Sequence, residues 1–103
     1  MPKTLTPEQK AALGQRAAAI ASTISTLSIS EIAGIIRRDW KNVYFGAVPY
    51  LEAMGSLTSI NDAYGADPGS HIVNYFLSNA TTWRGPVAQV VKAELKDRVQ
   101  RAR

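Results

Sequence analysis

Few residues here are of a type that does chemistry, and their spacing limits what each can do. An imidazole changes charge near neutral pH and can serve as a general base, and His71 is the only one among 103 residues. A base needs a nucleophile beside it, and none of the many Ser and Thr is marked out as one. Asp67 lies one helical turn before His71, but an Asp followed by Pro68 is already explained as a helix start. Glu52, Asp62 and Asp67 come from separate segments, so paired-carboxylate chemistry is not indicated. Gly46, Gly55, Gly65, Gly69 and Gly85 match no phosphate-loop spacing. With no cysteine and one histidine, disulfides, thiol nucleophiles and structural zinc sites are excluded. The sequence therefore predicts a non-enzymatic protein with no catalytic residue, metal or cofactor.

The richest cluster is Arg37-Arg38-Asp39-Trp40-Lys41-Asn42-Val43-Tyr44-Phe45, joined by Trp83-Arg84-Gly85 if the last loop lies nearby. Trp, Tyr and Arg dominate binding hot spots because a rigid ring or planar guanidinium buries much area at modest entropic cost. Arg37, Arg38, Trp40, Lys41, Tyr44, Trp83 and Arg84 are thus the expected contact set for a protein partner. The competing role for Trp40 and Trp83 is to plug the core, with Arg38 or Arg84 pairing Asp39. A second reading takes nucleic acid as the partner, through Arg37, Arg38 and Lys41 with Lys92, Lys96 and Arg98 of a basic C-terminal helix. A third builds a small-nucleotide pocket from Trp40, Arg84, His71 and Asn74.

Charge mapping ranks these readings. The formal net charge is +4, but residues 1–30 contribute +2, residues 31–83 contribute −2 and residues 84–103 contribute +4. Asp39, Glu31 and Glu52 surround the aromatic cluster, and Glu94 and Asp97 interleave the last basic run. A basic helix end is also what the helix dipole favours. Protein binding accordingly ranks ahead of nucleic acid.

The elements that must position these residues are helical. Thr6-Pro7-Glu8-Gln9 has the pattern of a capping box with proline at the first helical position. Leu13, Ala17, Ile20, Ile24 and Leu27 then form one stripe at helical period. That stripe docks on the domain's own core or, through residues 7–27, on a second copy. Ser28-Ile29-Ser30-Glu31 repeats the capping box, and Ile32, Ile35 and Ile36 of the second helix point inward. Pro49 belongs in the first turn of a third helix carrying Tyr50, Leu51 and Met54. Thr58 or Ser59 is expected to cap a short helix through Ile60 and Tyr64, stopped by Gly65. Asp67-Pro68 opens a central helix with Ile72, Tyr75, Phe76 and Asn79 at helical spacing. Thr82 or Gly85 begins the last, whose Val87, Val91 and Leu95 share one face. Asn42 to Phe45 is the one short strand candidate, and no repeat or long linker divides the chain.

The expected fold is all-α, a compact single-domain bundle of five or six short helices over residues 1–103. Its longest apolar run, Ala17 to Ala21, is far short of the roughly 20 residues that span a bilayer. Pro7, Glu8, Gln15 and Arg16 interrupt any signal-like run, so the expected location is the cytoplasm.

From Trp40 through Asn42-Val43-Tyr44-Phe45-Gly46-Ala47-Val48-Pro49-Tyr50-Leu51-Glu52 to Met54, the chain resembles a family of small, functionally unassigned helical proteins encoded by bacteria, phages and mobile elements. Asp62 to Asp67, Ile72 to Gly85 and Val91 to Lys96 extend the resemblance over roughly residues 31–98. Residues 1–30 fall outside it and read as an added element. The resemblance implies no active site and no ligand. Its mobile-element context implies a small inhibitor of host defence, anti-CRISPR-like, acting in the host cytoplasm.

Overall fold

The computed structural model describes residues 6–102, the side chain of Lys10 excepted; Lys3 and Arg103, counted above in the basic ends, lie outside them. Its elements are α1 (Pro7–Thr23), a 3-10 turn (Ile24–Thr26), α2 (Ile29–Asp39), a second 3-10 turn (Phe45–Ala47) and α3 (Val48–Met54). A two-stranded hairpin, β1 (Ala63–Tyr64) and β2 (Asp67–Pro68), leads into α4 (Gly69–Ser78), and α5 (Pro86–Arg101) closes the chain. The fold is all-α with five helices, as the periodicities predict.

Local chemistry sets the helix starts. Gln9 N–H donates to Thr6 Oγ1 while Thr6 N–H donates to Gln9 Oε1, closing the first capping box. Ser28 and Glu31 close the second in the same way, and hydrogen bonding from Ser28, above all its backbone N–H on Glu31 Oε1, holds the Glu31 carboxyl below the ordinary glutamate range. Pro49 and Pro86 occupy first turns, where a missing N–H costs nothing. Gly85 precedes α5 at φ +113°, a conformation side-chain-bearing residues avoid.

Two expectations about residues 58–68 are corrected. No helix forms from Thr58 to Tyr64. Instead the Asp62 carboxylate accepts from the N–H groups of Thr58 and Ser59, so a local side-chain bond replaces a helical turn. Asp67 does not cap α4: it pairs with Tyr64 across a hairpin turned by Gly65 at φ +61°, and extended Pro68 takes the cap position. Asp67 is held extended by the proline after it. The helix begins where Gly69 presses against the chain, since a Cβ there would sit 2.8 Å from the carbonyl oxygens of Ile60 and Asp62. This hairpin is the strand pair, and Asn42 to Phe45 is not a strand.

One hydrophobic core runs through the bundle. α2 contributes Ile29, Ile32, Ala33 and Ile36; α3 contributes Leu51, Ala53 and Met54; α4 contributes Ile72, Val73 and Phe76; and α5 contributes Val87, Ala88, Val91 and Leu95. α1 packs chiefly on α5. Ala17 and Ile24 are buried there and Ile20 and Leu27 partly so, which places most of the first helix's stripe on the domain's own core. No helix among the described residues is long and apolar enough to cross a membrane.

Candidate partner-binding site

Trp40 ends α2 and Trp83 sits in the loop before α5, and both lie in the core, at 7% and 2% exposure. Their rings stack at 5.8 Å and 11°, and Phe76 of α4 meets each edge-on, at 6.2 Å and 6.5 Å. Three aromatic rings from α2, α4 and the α4–α5 loop thus form one internal wedge. The buried indole needs an acceptor, and Trp83 Nε1 donates to Asp39 Oδ2 at 2.8 Å. Lys92 Nζ donates to the Trp83 carbonyl at 2.6 Å and lies 5.9 Å from the ring centroid. Trp40 and Trp83 are therefore removed from the expected contact set. Asp39 is engaged by Trp83, and no ion pair joins it to Arg38 or Arg84, both of which are exposed.

Tyr44, Phe45 and Tyr75 are exposed near the wedge in sequence, whereas Tyr64, 48% exposed, sits in the hairpin. Phe45 is 79% exposed, Tyr44 44%, Tyr75 46% and Val48 37%. The Tyr44 and Phe45 rings contact at 4.8 Å. Tyr44 folds back over Gly46 towards α4: a Cβ on Gly46 would meet Tyr44 Cε2 at 2.5 Å and Asn79 Oδ1 at 2.9 Å. Asn79 Nδ2 in turn donates to the Tyr75 carbonyl, and Tyr75 packs on half-buried Tyr50 of α3 at 5.4 Å. Tyr44, Phe45 and Tyr75 thus lie around Gly46, Asn79 and Tyr50 on the α3–α4 layer, and Val48 is exposed at the first position of α3. Arg37, Arg38 and Lys41 are exposed at the end of α2 that leads into it.

No protein-family model, curated protein or solved structure matches the chain. The site is therefore read from its own geometry. Of the expected contact residues, Arg37, Arg38, Lys41, Tyr44 and Arg84 are exposed, while the two Trp are core.

The basic residues of the nucleic-acid reading divide in two. Arg98 is internal: Nε pairs with Glu94 at 2.7 Å, another guanidinium nitrogen donates to the Ile24 carbonyl at 2.7 Å, and the side chain is only 12% exposed. That arginine ties α5 to the end of α1. Lys92 is half-buried against Trp83, and burial, then repulsion from Lys96 and Arg84, lowers its pKa. Arg37, Arg38, Lys41 and Lys96 remain exposed. The expected small-nucleotide pocket is not assembled. His71 and Asn74 line a cavity of about 290 Å³ with Ser70 and Val99, near the C-terminal end of α5. Arg84 precedes the other end, about 20 Å away along a helix rising 1.5 Å per residue, and Trp40 stacks on Trp83 at that end.

Phe45, Val48 and Tyr75 are exposed residues that spacing did not select. Adjacent Tyr44 and Phe45 carried a usable signal, since neighbouring side chains entering a helix diverge. Helical spacing puts Tyr75 in the core stripe, but Val73 takes the inward position beside Ile72 and Phe76.

Proposed function

We propose that the protein is a non-enzymatic binding domain that docks a protein partner on the surface of Tyr44, Phe45, Val48 and Tyr75, with Arg37, Arg38 and Lys41 at its rim. The observation that carries this is Phe45: a large apolar ring left 79% exposed on a short turn wedged between α2 and α3. Exposing such a ring forgoes the gain of burying it, about 1.5–3 kcal/mol for a full side chain. Aromatic and Arg side chains grouped on a packed scaffold are the composition of an interface core and rim. No three His, Cys, Asp or Glu side chains converge as metal ligands among the described residues. His71 has Tyr75 as its ring neighbour, at 6.4 Å.

The finer version rests on the resemblance to mobile-element proteins alone: a small cytoplasmic inhibitor of host defence. A photo-crosslinking amino acid at position 45 tests the docking surface, with the same group at exposed Gln89 of α5 as control. A discrete adduct from position 45 and none from 89 is expected. Identical adduct patterns from both positions would refute it.

A further inference from the structure

An open cavity of about 390 Å³ lies at the end of α5 remote from Trp83, within the roughly 300–1,000 Å³ of small-molecule sites. Three elements wall it: the turn after α1 with Ser25, the loop before the hairpin with Thr58, Ser59 and Asn61, and the last turns of α5 with Arg98 and Arg101. The loop is fixed in advance. The Thr58 and Leu57 carbonyls accept from the Ile29 and Ser30 N–H groups at 3.0 and 2.8 Å, and the Asp62 carboxylate accepts from the Thr58 and Ser59 N–H groups. Other hydroxyls near this turn bond back to the backbone, Ser22 to the Ala19 carbonyl and Thr26 to the Thr23 carbonyl. Those of Ser25 and Thr58 donate to nothing among the described residues, and Ser59 Oγ only accepts, from the Asn61 N–H.

The two guanidinium groups stand one helical turn apart and have different freedom. Arg98 is held: Nε bonds Glu94 and Nη2 bonds the Ile24 carbonyl. Its Nη1 has no partner, and since no buried side-chain nitrogen lacks one among the described residues, Nη1 reaches solvent. Arg101 pairs with Asp97 at 2.8 Å with both side chains more than half exposed, an arrangement worth little that a ligand can replace. Glu94 and Asp97 are not in the cavity wall, which contains no acid. The C-terminal end of α5 opposes an anion with about half a unit charge, less than the two guanidinium groups supply.

We propose that this cavity binds a small phosphate monoester, with Arg98 Nη1 as the fixed anchor, Arg101 as the mobile clamp, and the Ser25, Thr58 and Ser59 hydroxyls and Asn61 amide on the remaining acceptors. Donors arriving from three elements suit a tetrahedral group with three strong acceptor oxygens, whereas a carboxylate offers two oxygens in one plane. An anchor already held by the protein loses little freedom on binding. The cavity makes no use of Tyr44 or Phe45, so it stands or falls separately from the protein-docking surface.

The test is an NMR titration of the isotope-labelled protein with glycerol phosphate, with glycerol and succinate as neutral and dicarboxylate controls. Saturable amide shifts are expected at Ser25, Thr58, Ser59 and Asn61, with none from glycerol and weaker binding of succinate. Because Arg98 also straps α1, the variants are Arg101→Ala and Asn61→Ala, both at exposed positions. Loss of a charged donor should weaken binding about tenfold and loss of the neutral amide about threefold. Lys96→Ala, exposed on α5 outside the cavity, should bind as wild type does. Four outcomes overturn the proposal: no saturable shift, the same shifts from glycerol, equal affinity for succinate, or wild-type affinity in Arg101→Ala.

Discussion

The indole N–H of Trp83 donates to the carboxylate of Asp39 at 2.8 Å, joining residues 44 positions apart. This bond fixes the α4–α5 loop against the end of α2 and commits both tryptophans to the core. Asp39→Ala leaves a buried donor without an acceptor, at a cost of about 1–3 kcal/mol. Asp39→Asn keeps an acceptor oxygen and should lose less. Urea unfolding followed by Trp fluorescence reads both values.

The wedge and the exposed aromatics should respond oppositely to truncation. Trp40→Ala or Trp83→Ala empties the centre of the bundle and should cost about 3–5 kcal/mol, a large part of the 5–15 kcal/mol typical of a small domain. Phe45→Ala removes a ring that is 79% exposed, and its unfolding free energy should stay within about 0.5 kcal/mol of wild type. Equal destabilisation by Phe45→Ala and Trp40→Ala would contradict the division into core and contact residues.

Arg98 reads as a basic-patch residue in the sequence and acts as an internal strap in the fold. Arg98→Ala removes the donor to the Ile24 carbonyl and leaves Glu94 without its partner. α1 should loosen first, visible as faster amide hydrogen exchange in residues 12–24, while the Ile32 and Val91 amides stay protected. Exposed Lys96→Ala should leave the exchange of α1 unchanged.

Acid should weaken the start of α2. The hydrogen bonds from Ser28 lower the Glu31 pKa in the folded state, so the unfolded chain binds the proton more readily. The stabilisation is fully present above the unfolded glutamate value, about pH 4.3, and is lost as pH falls through the lower folded one. Glu31→Gln should flatten that part of the pH–stability curve. Ser28→Ala should cost about 1 kcal/mol at neutral pH, the usual worth of an N-cap.

Much of the fold was legible because local signals and burial agreed. Thr6 and Ser28 capping boxes, Pro49, Gly85 and the Ile, Val and Leu stripes all name helices that formed. Residues 58–68 were not legible, since a helix cap and a turn-stabilising Asp use the same residue types. Asp62 acts across the Thr58–Ser59 turn, and Gly69, not Asp67, marks where the backbone can approach closely enough to start α4. For the site, composition located the segment but could not orient it. Helical spacing does not settle which of Trp40, Tyr44 and Phe45 turns inward when α2 ends between them, and the long-range partner Trp83 decides it. Arg98 illustrates the same limit: its acceptor, Ile24, is 74 residues away.

The most direct test of the docking surface is a paired affinity enrichment from an extract of the cells that produce the protein. Wild type is compared with Phe45→Asp, after their unfolding midpoints have been shown to agree. Docking through Tyr44, Phe45, Val48 and Tyr75 predicts a protein enriched in near-stoichiometric amount by wild type and lost with Phe45→Asp. Recovery of the same proteins in the same amounts by both would contradict it.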